Sequence, residues 1–580
     1  MRMLLPAFVL LALIAGEALP LSNPDRTVTI YLHGYAGAGL DHDAPIGEEL
    51  FSDEVAPLQE FLDIPSGEED PFAPNQIAGV EYMGNRLPDP ETSYFDWDDY
   101  WELAELFPPA GEGGVPLHAT VVAKFARHVL ERSGAEGINI VGASFGGTIS
   151  RYLMANDIDG LCSEGLVSRW VTLEGGVNGI WIAQNPLFQP IIERLGEDSI
   201  EIEHMSYRWM SRHVDPGQPK PNLPWSPPNW GTSPSYRNTL IHHQISTDWS
   251  LYGGVMRHLS HLANDGEIAV GDAALAGVVE EYAWQGQQPM VQYLHAMHIS
   301  DGDLEPEHVG LSDHEGAWET LAATLSGSRR ATLRLTEATA HAIHEPPWFG
   351  KGELVFETEL YSRFAADEWG MLRAINNRNL RDGTAPMRRF KQGETRALDL
   401  VLFDQLVLRE DRMIDAWVRA QELDWSDMRN YRVFESILHP HRTLGEGWIE
   451  LDIEQPGPIH FAGDEVDLRF ELEMIELDVI DPAVTGFEVV HDAGEWVDLW
   501  FVSDEPAISS VFVRGGDGSR RVVHGEEGAP ATEHRIVVDR LRAGVAYSFT
   551  PRAEDGARNL GRGMVWEREA WPGRSFDVAE

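Results

Sequence analysis

The chain has 580 residues, 43% hydrophobic and 24% charged, which is globular composition in a length too great for one hydrophobic core. Asp and Glu number 94 against 44 Lys and Arg, a formal net charge of −50; a surface this acidic repels phosphate backbones and anionic bilayers, which excludes nucleic acid as an expected partner. Cys162 is the one cysteine, so an internal disulfide and a thiolate metal cluster are excluded as well.

In chain order, the N-terminus comes first. Arg2, the apolar run Met3 to Ala15 and the small residues around Ala18 have the form of an export signal over residues 1–18. The run is shorter than the roughly 20 apolar residues needed to span a bilayer, so a secreted or periplasmic protein is expected. From about residue 26 to 326 strands and helices then alternate, as in a mostly parallel sheet covered by helices. Thr27 to Leu32 reads as a strand ending in His33-Gly34, and Gln76 to Tyr82 as a second. Apolar pairs from Val121 to Leu130 repeat at helical spacing, with Gly134 placed as a C-terminal cap. Ile138 to Val141, Trp170 to Leu173, Asn238 to Ile245 and Met290 to His298 are further strands, and Glu315 to Leu325 a helix. Two inserts interrupt the alternation: residues 40–115, acidic and aromatic, and residues 180–236, rich in Pro and Trp, which have the character of lids or binding loops.

After Ser326 the texture changes to short strands with Gly- and Asp-rich turns. Thr332 to Ala338, Glu353 to Tyr361, Leu398 to Phe403 and Met413 to Gln421 read as sandwich strands. Beyond Asp481, the segments Val497 to Val502, Asp504-Glu505-Pro506, Leu541 to Phe549 and Ala553 to Asn559 together resemble a fibronectin type III-like module, and the resemblance implies a tyrosine corner at Tyr547.

The chemistry-bearing motif is Gly142-Ala143-Ser144-Phe145-Gly146-Gly147, between an apolar strand and the helical segment Thr148 to Ala155. Strand, serine and helix in that order make a nucleophile elbow: the turn is so tight that larger residues at 142 and 146 would clash. A serine hydroxyl needs a base to take its proton and an acid to orient that base. Among 22 histidines, His308 in His308-Val309-Gly310-Leu311 is favoured, because it follows the last strand and precedes Ser312-Asp313, an N-cap for the next helix. His295, His298 and His314 are less well placed. For the acid, Asp265 in the turn Asn264-Asp265-Gly266 is favoured over Asp301, Asp303 and Asp248. The N–H groups of Tyr35, after His33-Gly34, and of Phe145 are the expected oxyanion donors.

Together these four motifs resemble the signatures of bacterial α/β-hydrolase lipases and esterases over about residues 26–326. The resemblance implies Ser144 as nucleophile, Asp265 as acid, His308 as base, and Tyr35 and Phe145 as the oxyanion hole. The chain departs from the family at Ala143, where histidine is common, and at Glu174-Gly175-Gly176-Val177-Asn178-Gly179, where many members carry Thr-Pro-His. Both departures bear on substrate and subfamily. The expected fold class is thus α/β: a mostly parallel sheet with helices on both faces, followed by two β-sandwich domains. The expected divisions are a signal at 1–18, an α/β-hydrolase domain at 19–326 with a lid or cap at 180–236, a C2-like sandwich at 327–480 and a fibronectin type III-like sandwich at 481–580. The expected activity is hydrolysis of carboxylic esters through an acyl-enzyme, on an ester or lipid substrate. No cofactor is needed, and a structural calcium ion stays open. The β modules are expected to hold the enzyme to a polymer or cell surface. Two rivals remain: a polyester depolymerase, thioesterase or acyltransferase on the same fold, and an adhesion protein whose hydrolase domain is inert.

Overall fold

Thr27–Leu32 (β1) is buried along its whole length and lies second from one edge of a six-stranded sheet. The other strands are Ile77–Val80 (β2), Gly137–Ala143 (β3), Val167–Leu173 (β4), Leu240–Ser246 (β5) and Met290–Leu294 (β6). The computed structural model describes residues 27–34, 77–80, 82, 114–184, 200–214, 231–246, 268–269, 271–275, 277–294, 315–344, 351–361, 371–372, 388–407, 412–423, 442–477, 482–525, 530–556 and 558–571. The strand order is β2-β1-β3-β4-β5-β6, and every pair is parallel. Runs of apolar and β-branched residues such as Val-Thr-Ile-Tyr-Leu in β1, without polar alternation, suit a sheet buried on both faces. The expected strand Met290 to His298 runs to Leu294, and its remainder lies outside the described residues.

Helices Gly114–Ser133 (α1) and Phe145–Asn156 (α2) pack on each other and share one core with β1, β3 and β4. The helix read between Val121 and Leu130 begins earlier, where Pro116 in its first turn suits a helix start. It stops at Gly134, whose φ of 68° lets its N–H reach the Leu130 carbonyl at 3.1 Å. Ile200–His204 (α3) and Tyr207–His213 (α4) are short, and Glu315–Ser326 (α5) follows the sheet.

Side-chain alternation assigns the faces. Trp170 of β4 donates its indole N–H to Ser150 of α2, whereas its neighbour Arg169 points the other way and caps the carbonyls of Thr324 and Gly327 at the end of α5. In β5, His242 bonds Thr324 of α5 while His243 meets Thr172 and the edge of Trp170. Helices therefore lie on both faces, although the described helices are few for an α/β-hydrolase.

The strands after α5 are antiparallel. Between residues 329 and 476 they form a five-stranded and a four-stranded sheet around one apolar cluster that includes Leu333, Phe356, Phe403, Val418 and Phe470. Residues 484–568 form a further seven-stranded sheet with its own cluster. There the expected strand Val497 to Val502 continues through Asp504-Glu505-Pro506. One strand runs from Val497 to Gly515 and absorbs the proline by a register shift between Val502 and Ala507. A residue without an N–H is tolerated where the ladder is already interrupted. Tyr547 accepts the Arg542 N–H at 2.9 Å, a bond five residues back along the chain.

This last sheet lies against the base of the parallel sheet. The Arg237 guanidinium forks onto Glu554, Arg552 reaches the Ser163 carbonyl, and Arg520 reaches Asp159. Arg558 gathers the carbonyls of Glu280, Glu281 and Ala283. Leu560 fills the space over Gly165.

Candidate active site

In an open parallel sheet, a crevice forms at the carboxyl ends of two neighbouring strands whose connections leave in opposite directions. Here the chain moves outward from β1 to β2 and then crosses back to β3, so the switch point lies between β1 and β3. His33-Gly34 ends β1, and Ser144 ends β3. Both motifs read from the sequence therefore meet at the place where the topology opens a crevice.

The elbow is built as its glycines require. Ser144 sits at φ 47°, ψ −115°, outside the helical and extended regions, and serves as the N-cap of α2. A non-glycine residue in such a conformation costs on the order of 1–3 kcal/mol and persists only where surrounding bonds over-determine it. Those bonds are present. The Ser144 N–H donates to the Leu173 carbonyl at 2.9 Å, and its carbonyl accepts from Gly147 at 2.9 Å and Gly176 at 3.3 Å. A Cβ on Gly142 would come within 2.6 Å of the Gly146 carbonyl oxygen, and one on Gly146 would overlap the end of β1, with the His33 oxygen at 2.9 Å. Hence helix α2 can approach β1 only because residue 146 has no side chain. A Cβ on Gly34 would stand 3.1 Å from the Ser144 Cβ and 3.5 Å from its Oγ, which places the loop after β1 directly against the serine hydroxyl.

Behind the elbow, Phe145 is buried in a polar–aromatic cage. The His33 ring stacks on Tyr82 at 4.3 Å and 6°, and the His118 ring meets Phe145 edge-on at 6.2 Å. The Tyr82 hydroxyl donates to the His33 carbonyl at 2.5 Å, and its own carbonyl contacts His118 Nδ1 at 2.8 Å. His118 Nε2 then meets Glu201 of α3 at 3.0 Å. This chain of contacts fixes the end of β1, the start of α2 and α3 together, so the backbone around Ser144 is preorganised. The N-terminus of α2 also favours negative charge developing there.

Loops from β4 and β5 form another wall. Gly175 packs on Gly147, where its own Cβ would come within 2.8 Å of the Gly147 Cα, and Thr148 Oγ1 donates to the Gly176 carbonyl at 2.9 Å. Asn178 donates to the Gly271 and Ala274 carbonyls at 3.1 and 2.6 Å. Asp272, nearly inaccessible, accepts the N–H groups of Trp181 at 2.9 Å and Ala269 at 3.3 Å, and the Tyr207 hydroxyl. Burial, reinforced by Asp272, pushes the Tyr207 phenol well above its ordinary value, so it stays a donor. Asp272 thus works as a clasp between the loops after β4 and β5. Sequence reasoning passed over it because a Gly-Asp pair reads only as a turn.

The structure describes Ser144 and Phe145 of the expected constellation and puts them at the elbow. Tyr35, Asp265 and His308 lie outside the described residues, as do Asp248, Asp301, Asp303, His295, His298 and His314. Among the described residues no cluster of His, Cys, Asp or Glu has the arrangement of a metal site, and no helix is long and apolar enough to cross a membrane.

No protein-family model matches the chain, and no curated protein matches it. Among solved structures it is similar to the phospholipase PlaB from Legionella pneumophila, with 12% identity over 68% of this chain and 86% of that one, at a TM-score of 0.28. It is also similar to the Br derivative of BhCBM56, with 15% identity over 14% of this chain and 88% of that one, at a TM-score of 0.12. A third likeness is to the purple acid phosphatase PPD1 from yellow lupin (Lupinus luteus) seeds, with 7% identity over 43% of this chain and 36% of that one, at a TM-score of 0.12. Likenesses this distant carry no argument about activity. Strand order and the geometry at Ser144 do.

Proposed function

We propose that the chain is a secreted serine hydrolase of carboxylic esters, of lipase or esterase type, with Ser144 as its nucleophile. The observation that carries this reading is the conformation of Ser144: a strained serine, ringed by glycines, at the switch point of a parallel sheet and at a helix N-terminus. A structural serine gains nothing from such a position; a nucleophile gains exposure of its Oγ beside backbone donors.

In this mechanism His308, oriented by Asp265, takes the Ser144 proton as Oγ attacks the ester carbonyl. The N–H groups of Tyr35 and Phe145 hold the oxyanion, and each such donor is typically worth about 10²- to 10³-fold in rate. His308 then returns the proton to the departing alcohol, leaving an acyl-enzyme. Water, deprotonated by His308, attacks the acyl carbon and releases the acid and free Ser144. Residues 1–18 would be removed on export, and the β regions would hold the enzyme to its substrate surface.

The test is labelling by a fluorophosphonate probe together with turnover of an ester panel by the full chain and by Ser144→Ala, His308→Ala and Asp265→Asn. The reading requires that labelling and turnover vanish in Ser144→Ala and collapse in His308→Ala. Full turnover by Ser144→Ala would refute the nucleophile, and an unlabelled wild-type chain would favour an inert hydrolase domain. Insoluble polyester and thioester substrates in the same panel separate the rival substrate classes.

A further inference from the structure

The outer face of the five-stranded sheet carries a feature that neither the sandwich core nor the hydrolase reading uses. On adjacent antiparallel strands, Met413–Leu423 and Arg442–Asp452, Trp417 stands directly opposite Trp448. Their neighbours Ala416, Val418, Ile449 and Leu451 point inward and are buried, so alternation sends both indoles outward. Trp448 is 50% exposed, an uncommon state for the largest apolar side chain. The rings meet at 5.2 Å between centroids and 76° between planes. Two rings so inclined cannot form a flat platform for a sugar ring; they form a two-walled corner.

The next outward pair along the same ladder is Asp415 opposite Glu450, both exposed. Like charges placed directly across an antiparallel pair repel and destabilise it. Neither carboxylate has an ion-pair partner among the described residues. On the far side of the tryptophans Arg419 faces Glu446 across the ladder, so the unbalanced charge falls at the Asp415–Glu450 end.

We propose that the corner formed by Trp417 and Trp448, with Asp415 and Glu450 at its rim, binds a small organic ammonium ion free in solution. An aromatic face attracts a soft cation through its quadrupole, and the neighbouring carboxylates supply the charge complement. Those carboxylates also fix the source. In a zwitterionic lipid headgroup, phosphate accompanies the ammonium and would be driven against Asp415 and Glu450, so a lipid surface is disfavoured.

The experiment is saturation-transfer NMR on the full chain at constant ionic strength. The probes are choline and the neutral alcohol in which carbon replaces the choline nitrogen. Choline is expected to bind in the millimolar range and the neutral isostere several-fold more weakly. Trp448→Ala should weaken choline binding by about 3- to 10-fold, as expected for loss of one aromatic wall. Trp448→Phe should restore part of it, and Asp415→Asn with Glu450→Gln should weaken choline without changing binding of the neutral alcohol. Trp448 is surface-exposed, and an unchanged thermal transition in the variants confirms that the fold is kept. Equal binding of both probes, or choline binding unaffected by Trp448→Ala, would overturn the proposal. So would binding to phosphatidylcholine vesicles in the absence of binding to free choline.

Discussion

Replacing Ser144 by glycine and, separately, by alanine isolates the backbone strain at the elbow. Both substitutions remove the hydroxyl and all its contacts, so their difference reports only what a Cβ costs at φ 47°, ψ −115°. A non-glycine residue there carries on the order of 1–3 kcal/mol of strain. Glycine relieves it but adds unfolded-state freedom worth about 0.4–1 kcal/mol. Ser144→Gly should therefore be more stable than Ser144→Ala by about 0.5–2 kcal/mol, equivalent to a few degrees in Tm for a domain of this size. Both should lose all fluorophosphonate labelling. The assay is thermal or denaturant unfolding of the two variants beside the wild type, with labelling as the functional readout. If Ser144→Ala proved the more stable of the two, the elbow would be relaxed rather than strained, and the argument that its strain serves nucleophile exposure would fail.

Gly146→Ala should cost about 1–3 kcal/mol, because its Cβ meets the main chain of β1, which cannot yield as a flexible side chain does. Gly556→Ala, at a site with nothing within 4 Å, should be neutral or slightly stabilising, and equal unfolding midpoints for the pair would contradict the close approach of α2 to β1. Leu560→Ala should cost roughly 2–4 kcal/mol in a well-packed contact, and a chain ending before residue 482 should show a lowered transition in its hydrolase part, since Leu560 and the arginines around it brace the base of the parallel sheet. A truncated chain with an unaltered transition would make the last sheet an independent appendage.

The fourth expectation concerns acid. Burial lowers His242 to about 3, and burial together with His242 and Arg151 holds His243 well below its ordinary value, so both stay neutral in the folded chain. The unfolded chain takes up these protons near pH 6.5, so stability should be intact above that value and fall as pH drops from 6.5 toward 3. Each histidine contributes a slope of up to about 1.4 kcal/mol per pH unit in that window. Denaturant titrations between pH 7 and 5 should show a shallower decline for His242→Asn than for the wild type. Parallel declines would mean that His242 already protonates in the fold.

What the sequence settled here is local. The sheet strands from Thr27 to Leu32 through Met290, the helix ending at Gly134, and the elbow itself follow from short-range rules: apolar runs of strand length, a glycine where φ must be positive, and small residues around a serine between strand and helix. Residue contacts within a few positions dictate these, and the strands appear within a few residues of where the pattern puts them. Tertiary structure decided what depends on partners distant along the chain. That His33-Gly34 meets Ser144 follows from β1 lying beside β3, a pairing of residues more than a hundred positions apart. Asp272 became a clasp only because two loops converge on it, and Trp417 came to face Trp448 through strand register. The continuous strand through Pro506 has the same origin: local chemistry calls for a turn, but pairing on both halves of the strand outweighs it. Local propensities amount to tenths of a kcal/mol per residue, whereas a buried ladder adds packing and hydrogen bonds along its whole length, so the long-range term prevails where the two conflict.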